Sequence, residues 1–201
     1  VTDSVSRPVP LLNIANVLTT VRILLVPFFI WFLLADGGEG GVFRWLAVLV
    51  FAVAIYTDKL DGDLARSRGL VTNFGKIADP IADKLLIGSA LILLSVLGDL
   101  PWWITIVILV RELGITLLRF VVIRYGVMPA SRGGKLKTVL QTLAIFLYLL
   151  PLESWLGPWA VWVAFAVMML AVVVTVVTGV DYVVKAVKLR RASLAGTEGQ
   201  R

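Results

Sequence analysis

The stretch "YTDKLDGDLARSRGLVTNFGKIADPIADKLL", residues 56–86, sets five aspartates between two apolar runs. The runs on either side, Val42 to Thr57 and Ile81 to Leu97, read as helices able to cross a lipid bilayer. Asp58 and Asp61 are three residues apart, and Asp79 and Asp83 four apart. On helices each pair falls on one face, within reach of a common ligand. Asp63 breaks that spacing and reads as a loop or rim residue.

Working outward, the 201 residues are 59% hydrophobic with a mean hydropathy of +0.95, against roughly 45 to 50% apolar for ordinary soluble domains. A spanning helix needs about 20 apolar residues. Such runs recur from Ile14 to Ala35, Val42 to Thr57, Ile81 to Leu97, Trp102 to Ile123, Leu136 to Leu150 and Trp159 to Val184. The expected fold is therefore all-α: one transmembrane bundle of six helices over residues 1–201, with both termini on the same side. A short segment of about residues 1–12 precedes it and a basic, flexible tail of about residues 186–201 follows. The first run is longer than a signal-peptide core and ends in "ADGGEGG", so it reads as a retained span. Pro27 marks a kink in it.

Charge divides the connections. "ADGGEGG", "GDLP" and "PLESWLGP" lack Lys and Arg, whereas "ARSRGLVTNFGK", "RYGVMPASRGGKLK" and "KAVKLRRASLAGTEGQR" are rich in them. By the positive-inside rule the basic group and both termini face the cytoplasm. That places the aspartates at the cytoplasmic ends of the second and third helices. It also accounts for most of the net charge of +6 without nucleic acid. The seven Trp read as interface anchors or packing.

The chain has no Cys and no His, which excludes thiol nucleophiles, disulfides, His acid–base chemistry and Cys/His zinc sites. No GxGxxG or P-loop motif and no internal repeat is evident. Ligands and bases must come mainly from Asp and Glu. Four carboxylates crowded at a membrane boundary repel one another unless protons or cations compensate. Oxygen-only ligands suit hard divalent ions: Mg²⁺ first, then Mn²⁺ or Ca²⁺. Four carboxylates could hold two such ions, the number used to clamp a displacement at phosphorus. Gly62 and Gly75 permit close backbone approach, Ala65 leaves space, and Arg66 offers a fixed charge to a phosphate. The plainer alternative is that the aspartates merely solvate helix ends.

"DKLDGDLARSRGLVTNFGKIADPIAD" resembles the signature of the CDP-alcohol phosphotransferase family, D-x-x-D-G-x-x-A-R, eight residues, G-x-x-x-D-x-x-x-D. Asp58, Asp61, Gly62, Ala65, Arg66, Gly75, Asp79 and Asp83 fill every fixed position. The resemblance implies transfer of a phosphatidyl or related group from a CDP-linked donor to an alcohol, with release of CMP. It implies that Asp58, Asp61, Asp79 and Asp83 bind the metals, that Asp83 is the base for the acceptor hydroxyl, and that Gly62, Ala65, Arg66 and Gly75 lie along the CDP moiety. It also implies a homodimer.

"NIANVLTTVRILLVP", "RELGITLLRF" and "GKLKT" are similar to a bacterial branch of the family whose donor is CDP-diacylglycerol and whose acceptor is glycerol 3-phosphate. Arg111 and Glu112 lie well inside the fourth span, where ionisable groups usually face a partner or polar cavity. Arg119 is about 80° around the helix from Arg111. With Lys135 and Lys137 these arginines could hold a dianionic acceptor; equally, Glu112 could simply neutralise an arginine, and the two lysines could be ordinary positive-inside residues. Asn16, Thr19 and Arg22 share one helical face and are possible substrate contacts, although Asn16 and Thr19 could instead cap or bond backbone. The expectation is a bacterial plasma-membrane enzyme with its site facing the cytoplasm. Rival readings keep the chemistry with inositol phosphate or phosphatidylglycerol as acceptor, or replace it with cation or proton transport.

Overall fold

A computed structural model describes residues 13–67, 72–122 and 132–198. The described residues are helical throughout, without strands: α1 Ile14–Asp36, α2 Val42–Ser67, α3 Asn73–Val96, α4 Trp102–Val122, α5 Arg132–Leu149, α6 Leu152–Leu156 and α7 Trp159–Glu198. The chain divides into two compact units, Val1–Leu97 and Gly98–Arg201.

In the first unit α1 packs against both α2 and α3, which also touch each other. The Asn13 side chain accepts the Asn16 N–H at 3.0 Å and caps the start of α1. Gly37, in the left-handed region at φ 58°, ends it. α1 continues through Pro27. Thr72 caps α3 by accepting the Gly75 N–H at 3.0 Å. The core joins Phe29 and Leu33 of α1 to Ala47, Phe51 and Ala54 of α2 and Ala82, Leu86 and Ala90 of α3. The Phe29 and Phe51 rings lie 5.7 Å apart, and the alanines let the helix backbones approach closely.

In the second unit α7 packs against α4, α5 and α6. Ile104 and Ile108, Ala144 and Ile145, and Ala164, Met168 and Ala171 form its core.

The outer faces are apolar. Leu24, Phe28 and Trp31 on α1, and Val173, Val177 and Val180 on α7, are exposed. Apolar surface on this scale suits lipid rather than water. α1 and the Trp159–Arg190 part of α7 are long and apolar enough to cross a membrane.

Three features differ from the expected layout. α2 runs ten residues beyond Thr57 and α3 starts eight before Ile81, so all five aspartates, Asp63 included, are helical. The "PLESWLGP" connection contains α6, a single turn bounded by Pro151 and by Gly157 at φ 87°. The stretch read as a flexible tail continues α7 to Glu198; "KAVKLRRASLA" consists mostly of strong helix formers. The segment of residues 1–12 lies outside the described residues.

Candidate active site

The aspartate cluster is organised by α1. Asn16, Thr19 and Arg22, one every three residues, lie on the buried face of that helix. The Arg22 guanidinium is 0% exposed. Its Nη1 is 2.6 Å from Asp58 Oδ1, and its Nη2 donates a short hydrogen bond to Asp61 Oδ2. The Thr19 hydroxyl stands 2.6 Å from Asp79 Oδ1, 3.3 Å from Asp61 Oδ2 and 3.1 Å from the Ala15 carbonyl. With one proton to give, it donates to the nearest acceptor, Asp79. Asn16 Oδ1 accepts from the Thr72 hydroxyl at 2.8 Å, tying α1 to the start of α3. Two α1 side chains thus draw together Asp58 and Asp61 of α2 and Asp79 of α3.

Asp83 lies one turn beyond Asp79 on α3 and is half-buried. Pro80, between them, lacks an N–H and so removes one helical hydrogen bond. Asp63 is exposed, as a rim residue would be. Gly62 is half-exposed on α2. A Cβ on Gly75 would stand 3.2 Å from Asn16 Oδ1, 3.4 Å from Thr72 Oγ1 and 3.7 Å from Asp79 Oδ2. Its lack of a side chain therefore makes room for the chain's own polar groups. Ala65 and Arg66 lie on α2, but their side chains fall outside the described residues.

Asp61 lies beyond Thr57, the expected end of the second span. Burial raises its carboxyl above the ordinary value; Arg22 beside it offsets part of this, while Asp79 and Asp58 add to the rise. Among the described residues the acidic side chains form no ready-made cage of three or more ligands, and Arg22 stands against two of them. The donor set nonetheless fits a hard divalent ion. It offers carboxylate and hydroxyl oxygens, the donor type such an ion takes.

A second polar cluster occupies the other unit. Arg111 of α4 donates from Nε to the Thr175 carbonyl at 3.1 Å, from Nη1 to Glu112 Oε1 at 2.9 Å and from Nη2 to Thr178 Oγ1 at 3.1 Å. Lys137 of α5 is buried and donates to the same Glu112 oxygen. Gly179 accommodates the arginine: a Cβ there would lie 3.1 Å from Arg111 Cγ. Arg119 is exposed, its Nε 3.4 Å from the Tyr182 hydroxyl and its guanidinium over that ring. Lys135 is exposed as well. Of the four cations expected to hold an acceptor, Arg111 and Lys137 therefore meet at Glu112, while Arg119 and Lys135 do not join them. Glu112 has the neutralising role weighed for it. Sequence reasoning missed Thr175, Thr178 and Gly179, which carry no signal in an apolar helix beyond being small or hydroxylated.

With this geometry goes a match to a known group. Residues 12–177 fit the model of the CDP-alcohol phosphatidyltransferase family, and the chain belongs to that family. Among its relatives, a protein of Mycobacterium tuberculosis (strain ATCC 25618 / H37Rv) named "Probable phosphatidylglycerophosphate synthase" is 55% identical over 88% of this chain and 82% of its own length. The "CDP-diacylglycerol--glycerol-3-phosphate 3-phosphatidyltransferase" of Bacillus subtilis (strain 168) is 40% identical, over 85% of this chain and 93% of its own. The "Cardiolipin synthase (CMP-forming)" of Streptomyces coelicolor is 34% identical, over 92% and 87% respectively.

Proposed function

We propose that the protein transfers the phosphatidyl group of CDP-diacylglycerol to sn-glycerol 3-phosphate, giving phosphatidylglycerol phosphate and CMP. The observation that carries this is the gathering of Asp58, Asp61 and Asp79 by Arg22 and Thr19 in a chain that fills the family signature. The relatives' names supply the acceptor.

In this reading Asp58, Asp61, Asp79 and Asp83 hold two divalent ions, Mg²⁺ foremost. Bound there, the ions neutralise the pyrophosphate and the departing CMP. Gly62, Ala65, Arg66 and Gly75 line the CDP moiety, with Arg66 giving the phosphates a fixed charge. Asp83 accepts the proton of the acceptor hydroxyl as that oxygen attacks the phosphorus joined to diacylglycerol, and the bond to CMP breaks. Arg111 and Lys137 bind the acceptor phosphate, and Arg119 and Lys135 attract it from more exposed positions. Asn16, Thr19 and Arg22 serve the site from within, through the carboxylates and the Asn16–Thr72 link.

The membrane arrangement we infer has six spans, α1 to α5 and α7, with α6 in an external connection. Both termini and the aspartates face the cytoplasm of a bacterial plasma membrane, and the enzyme is a homodimer. The distribution of Lys and Arg among the connections supports the orientation.

The test is CMP release from CDP-diacylglycerol by purified protein with Mg²⁺, offering glycerol 3-phosphate, inositol phosphate, phosphatidylglycerol or no acceptor. Release dependent on glycerol 3-phosphate is expected, and Asp83→Asn should abolish it in folded protein. The Streptomyces relative favours one second reading, with phosphatidylglycerol as acceptor; release with that lipid alone would replace the first. Ion uptake into proteoliposomes without CMP release would overturn both.

A further inference from the structure

Arg22 is a fully buried cation in a largely apolar helix, and its partners are two of the aspartates read as ion ligands. A guanidinium keeps its charge at any physiological pH and presents a flat fork that suits two carboxylates at once. Buried without a partner, such a charge is strongly unfavourable. The pairing is lopsided: the Asp61 side chain is 4% exposed and that of Asp58 48%. Arg22 therefore touches the inner carboxylate from the protein side while the outer one remains open to solvent. Arg22 Nε and Nη1 have no hydrogen-bond partner among the described residues; Nη2 is hydrogen-bonded to Asp61, and Nη1 meets Asp58 as an ion pair only.

We propose that Arg22 is the resident counter-cation of the aspartate site and sets its affinity for divalent ions. With no ion bound it holds Asp58 and Asp61 together against their mutual repulsion. An entering ion shares or takes over those oxygens, so that guanidinium and ion compete for the same negative charge. Arg22 is a positioning residue, acting through the carboxylates and having no role in the chemical step. The inference rests on the reading of these aspartates as ion ligands and adds that the chain carries its own competitor for them.

The test uses the full chain in detergent, stripped of metal and titrated with MgCl₂ at constant ionic strength, with thermal unfolding followed by tryptophan fluorescence. Binding to the folded state alone raises Tm in proportion to occupancy. In Arg22→Gln the ion-free Tm should fall below that of wild type, and saturating Mg²⁺ should recover most of the loss. The half-saturating concentration should fall by about tenfold or more, the lower end of what a neighbouring opposite charge does to a carboxylate's affinity for a proton. Arg22→Lys, which keeps the charge but not the fork, should lie between the two and carries the comparison if the Gln variant unfolds. A half-saturating concentration equal to or above that of wild type in both variants would overturn the inference while leaving the ion site intact. A wild-type Tm indifferent to Mg²⁺, and equally so in Asp58→Asn, would remove the ion reading and this inference together.

Discussion

Replacing Thr19 with Val tests the hydroxyl that joins Asp61 and Asp79. The two side chains have nearly the same shape and both branch at Cβ, so helix propensity and packing change little. What disappears is one donor, 1% exposed, standing 2.6 Å from Asp79 Oδ1 and 3.3 Å from Asp61 Oδ2. A hydrogen bond to a charged group contributes about 1.5–3 kcal/mol, and water has poor access to replace it. The new methyl group offsets part of this by its burial, about 0.8 kcal/mol. The net loss should be about 1–2 kcal/mol, or about 2–8 °C in Tm for a chain of this size. Turnover provides the second readout. If the hydroxyl orients Asp79, Thr19→Val should lower kcat/KM for CMP release by about tenfold or more, an effect of ~1.4 kcal/mol on the barrier. Thr19→Ser, which keeps the hydroxyl and loses only the methyl, should remain within about threefold of wild type. A valine variant with unchanged Tm and unchanged turnover would refute the claim that Thr19 helps α1 to organise the aspartates.

Three further substitutions probe the two clusters. In Gly179→Ala the new Cβ, 3.1 Å from Arg111 Cγ, pushes the arginine stem aside and stretches its bonds to Thr175 and Thr178. Overpacking of this kind costs about 1–3 kcal/mol, and the KM for glycerol 3-phosphate should rise more than kcat falls; steady-state kinetics with an unchanged KM would remove Arg111 from the acceptor pocket. Glu112→Gln leaves two cations without their shared carboxylate. With the Glu112 side chain 23% exposed, the loss should fall below the roughly 3–5 kcal/mol of a fully buried broken pair, and a melting curve matching wild type would show that the pairing contributes nothing to stability. Gly75→Ala would stabilise an ordinary helix by about 1 kcal/mol. Here the Cβ meets Asn16 Oδ1 at 3.2 Å, so no gain is expected, and a Tm rise of several degrees would contradict the packing described.

The helices were legible because long apolar runs leave few alternatives in so hydrophobic a chain. Their ends were less so. Helix α2 passes from apolar to charged residues at Thr57 without any break in the backbone, and hydropathy records the change of solvent rather than the end of the hydrogen-bonded ladder. The basic stretch after Val184 extends α7 for the same reason: Lys, Arg, Ala and Leu are strong helix formers whatever their polarity. Helix α6 was hidden in a Pro- and Gly-bounded connection too short for any periodicity to register.

The four aspartates stood out as a group because spacing on a helix fixes which side chains share a face. Their counter-charge did not, because no local pattern says which distant helix supplies it. Arg22 lies thirty-six residues before Asp58, well inside the first apolar run, and reads by itself only as a possible substrate contact on the face it shares with Asn16 and Thr19. Yet Asn16, Thr19 and Arg22 are polar residues at a spacing of three in a helix whose other positions are largely apolar. Toward lipid, Arg22 would be a charge without a partner, at several kcal/mol, and Asn16 and Thr19 would have only the backbone of their own helix to bond. That face had to meet polar partners, and an aspartate-rich pair of helices was the available complement. The signature on α2 and α3 therefore describes the carboxylates but not the groups that hold them together. Those groups, Thr19 and Arg22, are written on α1, and substitutions there should perturb the aspartates as directly as changes in the signature itself.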